Sequence, residues 1–257
     1  MLIKVTEIFL FFKGVKNVIH LSISNALKYL NEVKRLRTLL VNFSNDIPMH
    51  LITAFRASII EKVGREEVTF HNHLGDAQYI YQYPLIQYKI AFGKPAIVCL
   101  EEGVDEIHKL FEQRNWKINL LGESIELKVD RLDLKTTTLN VWDKQSYYRL
   151  FRWQALNEKN YREYNNLKSL TEKIQMLERI LTGNILSFAK GIEWQIDQPI
   201  KLSITDVSLE RLNKMKDIKV AVLDIQFSCN VSLPEWIGLG KGVSKGFGVV
   251  RKINTND

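Results

Sequence analysis

The run GLGKGVSKGFGVVRKI, residues 238–253, places five glycines before the chain's last apolar stretch. Gly238, Gly240, Gly242, Gly246 and Gly248 alternate with Lys241 and Lys245; Arg251 and Lys252 follow, and no acidic residue interrupts. Glycine has no Cβ and accepts backbone conformations closed to other residues, so the run reads as tight turns. Phe247, Val249, Val250 and Ile253 then read as a strand. Successive free backbone N–H groups in such turns make a concave anion site, and lysines add charge. A phosphate chain is the ligand the pattern suits.

The common nucleotide loops do not fit. A Walker loop requires G-x-x-x-x-G-K-[ST], which no frame supplies. In the dinucleotide fingerprint, Gly240, Gly242 and Gly246 carry one residue too many. Both motifs open a helix, whereas a strand follows here. A basic glycine loop leading into a strand suits a nucleic-acid backbone better than a mononucleotide. The alternative is a hairpin whose glycines serve only its own turns.

The 257 residues make one large domain or two small ones. With 46% hydrophobic and 25% charged residues, the composition is that of a globular protein. The formal net charge of +7 favours anionic partners, RNA or DNA first and an anionic membrane second. Cys99 and Cys229 lie far apart in apolar runs, without ligand spacing, so they are expected as buried thiols. The apolar stretch at 8–12 is cut short by Lys13, and no run approaches the ~20 apolar residues of a membrane span. The expectation is a soluble, cytoplasmic protein.

Along the chain, 5–12 reads as strand and 25–35 as helix, while Lys34, Arg35 and Arg37 read as a solvated basic face. Residues 38–43 are β-like. Pro48 opens a helix with Leu51, Phe55, Ile59 and Val63 on one face, and Gly64 stops it. Then come a short β-like segment at 68–73, an aromatic and β-branched stretch at 79–90, a turn at Gly93, a strand at 96–100, a helix at 104–111 and an extended stretch from 116. That order approaches the ferredoxin-like plan. The second half repeats it: strands at 125–141 and 147–156, one long helix at 161–190 with Leu167, Leu170, Ile174, Leu177, Leu181 and Phe188 as a core stripe and Gly191 as its cap, strands at 200–207 and 219–231, the glycine loop and a last strand. The fold class is α+β, two ferredoxin-like domains in tandem. The expected divisions are 1–36, whose structure the sequence leaves open, 37–122 and 123–257.

Of the five histidines, His71 and His73 share the tetrapeptide Phe70-His71-Asn72-His73. On a strand, residues two apart point to one face, so two imidazoles would share a site. Imidazole titrates near neutrality and can act as general base or general acid. RNA cleavage needs both: a base for the 2′-OH and an acid for the departing 5′-oxygen, with lysines or backbone N–H groups steadying the phosphorane. A metal is the rival use of such a pair, but only Asp76 stands nearby as a third ligand. Two polar residues at a strand end is the structural alternative. His50 begins the first helix and is the next candidate; His20 and His108 have no supporting neighbours.

These residues together resemble a known family. GLGKGVSKGFG is similar to the glycine-rich signature of the repeat-processing CRISPR endoribonucleases, the Cas-six family of the RAMP superfamily. FRASIIEKVG, FHNHL, YPLIQYKI, GKPAIVCLEEGVDEI and LTGNILSFAKGIEW resemble its b-type branch in order and spacing, over about 38–253. The resemblance implies two ferredoxin-like (RRM-like) domains and cleavage of precursor CRISPR RNA within each repeat, without metal or cofactor, leaving a 5′-hydroxyl and a 2′,3′-cyclic phosphate. It implies catalysis by His71 and His73. A tyrosine or lysine serves as acid or clamp in relatives, which here points to Tyr88 or Lys89. It also implies RNA contact through Gly240, Lys241, Gly242, Lys245, Gly246 and Gly248. CRISPR repeat RNA is the implied partner and a CRISPR effector complex a further one; no membrane is implied, and monomer and homodimer stay open. No RNP-type motif supplies stacking aromatics, so binding through phosphate and charge is expected. Two rivals remain: a non-catalytic repeat-RNA-binding subunit, and a metabolic α+β enzyme holding a small phosphorylated ligand.

Overall fold

The computed structural model describes residues 33–71, 73–74, 78–79, 83–215 and 218–253. The strand expected at 5–12 and most of the helix expected at 25–35 lie outside these residues. Lys34 and Arg35 belong instead to the first strand, β1 (Lys34–Phe43). A 3₁₀ turn at Met49–Leu51 leads into α1 (Ile52–Val63), which buries Ile52, Phe55 and Ile59 and ends at Gly64 with φ 118°. The segment 68–73 is not a strand throughout. Val68–Phe70 forms a 3₁₀ turn, and only β2 (His73–Leu74) is extended, paired with β3 (Gln78–Tyr79). β4 (Ile86–Ala91) and β5 (Lys94–Leu100) make a hairpin about Phe92 and Gly93. Two short helices, α2 (Glu102–Glu106) and α3 (His108–Phe111), precede the hairpin β6 (Lys117–Leu120) and β7 (Glu123–Glu126) and then the long β8 (Val129–Leu139).

These strands form an antiparallel sheet of order β4-β5-β1-β8. β8 pairs with β1 along nearly its whole length, Lys34 opposite Leu139. The first unit therefore runs through Leu139, beyond the join expected near 122: the alternating run from 125 completes the first sheet and does not start the second.

The second unit opens with β9 (Val141–Trp153). The long helix expected at 161–190 is two, α4 (Glu158–Asn166) and α5 (Leu170–Gly191). Ser169 separates them with a capping box: its hydroxyl accepts from the Glu172 amide, and the Glu172 carboxylate accepts from the Ser169 amide. Gly191 is less a cap than a contact point, since a Cβ there would meet the Tyr83 side chain at 2.2 Å. The hairpin of β10 (Leu202–Met215) and β11 (Ile218–Val231) follows, then the glycine segment, then β12 (Val249–Ile253). The sheet order is β10-β11-β9-β12. In both sheets the last strand pairs with the first and the middle hairpin stands beyond it, the ferredoxin-like arrangement twice over.

Alternation along β1 explains how the halves stack. Val41 and Phe43 face a core shared with Phe55, Ile59 and Leu110. Leu36 and Leu40 face the other way, into a core shared with Trp153, Leu181, Phe188 and Val250 of the second half. The first sheet is thus covered by its own helices on one face and by the second unit on the other. No helix among the described residues is long and apolar enough to cross a membrane.

Candidate nucleic-acid cleavage site

The glycine segment is pinned to the first half. Tyr83 Oη donates to the Gly238 carbonyl at 2.8 Å, and the Gly238 amide donates to Gln87 Oε1 at 3.0 Å. Lys245 makes a parallel bridge with Tyr88 of β4. Inside the segment, the Leu239 amide donates to Gly248 O, Lys245 and Phe247 to Gly242 O, and Gly248 to Arg152 O. The amides of Gly238, Leu239, Lys245, Phe247 and Gly248 are therefore taken up within the protein and are not part of a run of free N–H groups. The glycines answer to crowding as well. Gly240, Gly242, Gly246 and Gly248 all have positive φ. A Cβ at Gly248 would lie 1.8 Å from Leu239 O, and one at Gly240 2.7 Å from Trp153 Nε1. What the segment offers outward is charge: Lys241 is exposed and Lys245 half-buried.

Tyr88 also meets the histidine segment, at the carbonyl of Phe70. His71 closes the 3₁₀ turn with φ −138° and ψ −9°, so it is not on the strand that His73 begins. The shared strand face argued for the pair is thus not how they are held. The His73 side chain and Asp76 lie outside the described residues. His71 Nε2 is 2.7 Å from Arg65 O. A carbonyl only accepts, so Nε2 donates in this bond. The backbone before and at this histidine is gripped from two elements. Arg56 of α1 donates to His71 O at 2.9 Å, and Tyr88 Oη reaches Phe70 O at 3.4 Å. One turn earlier on α1, Ile52 packs against the glycine segment, 3.2 Å from where a Gly246 Cβ would stand. Residues four apart on a helix are neighbours. The start of α1 therefore carries the histidine segment and the glycine segment side by side.

Tyr88 and Lys89 do not reach a substrate here. Both are fully buried. Burial pushes the Tyr88 phenol well above its ordinary range, with Arg56 opposing, and lowers the Lys89 ammonium to about 7. Lys89 Nζ packs beside Gly238 without a hydrogen-bond partner among the described residues. Tyr88 positions backbone, and Lys89 is an interior amine beside the glycine segment.

A cleft of about 600 Å³ opens between the two units, lined by Met49, His50 and Ile90 from the first and by Phe151, Arg152, Val222, Asp224, Trp236, Val249 and Arg251 from the second. His50 is exposed on its wall. Arg152 occupies a bulge in β9 with φ 53°; its amide donates to Asp224 Oδ1 at 2.6 Å. Its guanidinium lies 4.3 Å over the Phe247 ring, next to Gly246 O at 3.5 Å. Burial lowers its pKa, with Asp224 opposing. Nothing in the sequence marks Arg152, because a bulge is created by strand pairing. Two aromatic rings stand exposed on β9. Tyr147 is 42% and Phe151 37% exposed, alternating with buried Tyr148 and Leu150. The signal available was that alternation.

A family model described as the Cas6b N-terminal domain matches residues 34–138, and one described as the Cas6b C-terminal domain matches 140–253. A crystal structure of Cas6b is similar at 25% identity and TM-score 0.73, covering 86% of this chain and 100% of that one. A structure named as the CRISPR RNA processing endoribonuclease Cas6b gives 25% identity and TM-score 0.67 over the same shares. An uncharacterized protein of Methanocaldococcus jannaschii is 33% identical over 138 residues, 53% of this chain and 92% of its own. With both domain models matched in order across 34–253, this chain belongs to the Cas6b family.

Proposed function

We propose that the protein is an endoribonuclease that cuts precursor CRISPR RNA within its repeats, using the RNA's own 2′-OH as nucleophile. The observation that carries this reading is the meeting at the start of α1 of two segments from opposite ends of the chain, His71 held by Arg56 and the basic glycine segment packed on Ile52. A similar solved structure named as a CRISPR RNA processing endoribonuclease supports the reaction class. His71 is the base that takes the 2′-OH proton. The oxygen then attacks the adjacent phosphorus, and His73 protonates the departing 5′-oxygen. The products are a 2′,3′-cyclic phosphate and a 5′-hydroxyl. Lys241 and Lys245 bring positive charge to the phosphate chain, while the glycines let their segment fold tightly enough to place them. Proton transfer by two imidazoles balances the reaction without a metal.

The test is cleavage of the repeat RNA encoded beside the gene, with EDTA present. His71→Ala and His73→Ala should each slow single-turnover cleavage ~10²-fold or more, the scale for a lost proton-transfer group, with repeat affinity nearly unchanged. A 2′-deoxy nucleotide before the cut should stop cleavage and spare binding. Cutting of that deoxy substrate would overturn the chemistry. Wild-type rates in both histidine variants would move the site to the cleft, where His50 stands. Binding without any cutting would favour the non-catalytic subunit.

A further inference from the structure

Two aromatic rings and two guanidinium groups from four separate elements converge at the edge of the cleft. Phe92 comes from the β4–β5 turn, Arg131 from β8, Trp236 from the segment before the glycines and Arg251 from β12. The Phe92 and Trp236 ring centroids are 5.0 Å apart with planes tilted by 59°. Arg251 lies 3.8 Å over the Trp236 ring and 5.9 Å from that of Phe92; Arg131 lies 5.3 Å over Phe92. Each arginine also touches a carboxylate, Arg251 with Glu235 at 2.9 Å and Arg131 with Asp133 at 3.2 Å, which orients the planar groups. Trp236 and Arg251 line the cleft itself.

Phe92 is the informative member. It is 57% exposed, and it holds φ 53° in a two-residue turn with Gly93. The left-handed region is unfavourable for a bulky side chain and is where Asn or Gly ordinarily stands. An exposed aromatic in a strained turn gains little for the fold, and such outliers gather at functional positions. A ring with most of its surface open, backed by a second ring and by arginine planes, is the arrangement on which a nucleobase stacks, whatever its identity.

We propose that Phe92 and Trp236 form a stacking subsite for one unpaired nucleobase of the RNA, separate from the histidine segment and spanning the two units. The proposal rests on the reading of the protein as an RNA-cutting enzyme. It adds a site that selects single-stranded RNA.

The experiment measures binding of the repeat RNA and of an unstructured RNA oligonucleotide to wild type, Phe92→Ala, Phe92→Leu and Phe92→Tyr. Ala and Leu should weaken both affinities about tenfold, and Tyr should restore them. An abasic nucleotide scanned through the repeat should find one position that matters to wild type and not to Phe92→Ala. Equal affinity and equal abasic profiles in wild type and Phe92→Ala would overturn the subsite, as would a wild type that binds neither RNA. A change of sedimentation on mutation with RNA affinity intact would also overturn it, assigning the surface to contact between copies. If wild type binds without cutting, the endonuclease reading fails while the binding comparison still decides the subsite.

Discussion

The two halves have the same strand order and differ in the second crossover. In the first, α2 and α3 carry the chain from β5 back toward the sheet edge, and their Ile107 and Leu110 join the local core. In the second, no helix stands between β11 and β12; the glycine segment does, and its buried Ile237 and Leu239 join the core that includes the first sheet. A helix satisfies its own backbone, so it packs as a closed cylinder. The glycine segment leaves its backbone groups to be met by others, and Tyr83, Gln87 and Gln154 meet several of them. Replacing a helix by such a segment turns a crossover into a clasp between domains, with Lys245 bridged to Tyr88 of β4.

The largest effect should come from testing that clasp against an ordinary turn. Gly248 and Gly93 both have positive φ, but a Cβ at Gly248 would strike Leu239 O at 1.8 Å, while one at Gly93 meets nothing within 4 Å. Gly248→Ala should lose roughly 3 kcal/mol or more in urea unfolding, the upper range for single substitutions. Gly93→Ala should lose only about 1 kcal/mol, the cost of the backbone conformation. Similar losses at both positions would break the comparison.

The interior lysine beside the glycine segment comes next. Lys89 has its pKa lowered to about 7 by burial, from 10.5. Between those values the unfolded chain holds the extra proton, so the contribution to stability is complete above about 10.5 and is lost as pH falls to about 7. Lys89→Met removes the charged state. It should raise Tm at pH 6 and raise it less at pH 9, with the gap closing by roughly 1.4 kcal/mol per pH unit. A pH-independent effect would mean the ammonium is not enclosed.

The smallest effect concerns surface charge. Lys241→Ala with Lys245→Ala should weaken repeat binding and lower the salt slope by about 0.7–0.9 per lost phosphate contact. The same pair of changes at Lys117 and Lys128, exposed lysines of the first half, should leave the slope alone. Equal losses from both pairs would make the attraction a property of net charge and not of the clasp. Circular dichroism of each variant confirms that folding is intact.

Local pattern was enough for the parts whose structure is decided by neighbours in the chain. The α1 stripe of Phe55 and Ile59, the Gly64 stop, the strand following the glycines and the twofold strand–helix order could all be read, because periodicity reports which face is buried. So could the break in the second-half helix, had the spacing of Ser169 and Glu172 been used. The sequence also placed His71 and His73 together, since they are two residues apart. It could not show that a 3₁₀ turn holds the first of them off the strand, because Val68 and Phe70 suit either conformation and Arg56 and Tyr88 fix the outcome from elsewhere.

Pairing across long separations belonged to the tertiary structure. β8 joins the first sheet because β1 offers it an open edge, which alternation along 125–141 does not reveal. Tyr88 and Lys89 read as reachable side chains on an ordinary strand. Tyr88 is buried in the first half's own core against Phe55 and Phe70. Lys89, on the opposite face, is buried because the glycine segment docks over β4, and that docking depends on Tyr83, Gln87 and Gly238 being brought together. Arg152, Phe92 and Trp236 gain their meaning the same way, from a bulge, a strained turn and a domain boundary. Composition and spacing determined the material: glycines, lysines, a histidine pair and two sheets' worth of alternating strands. Which of these groups face one another was decided by burying the second face of the first sheet, a free-energy gain that no single segment can express alone.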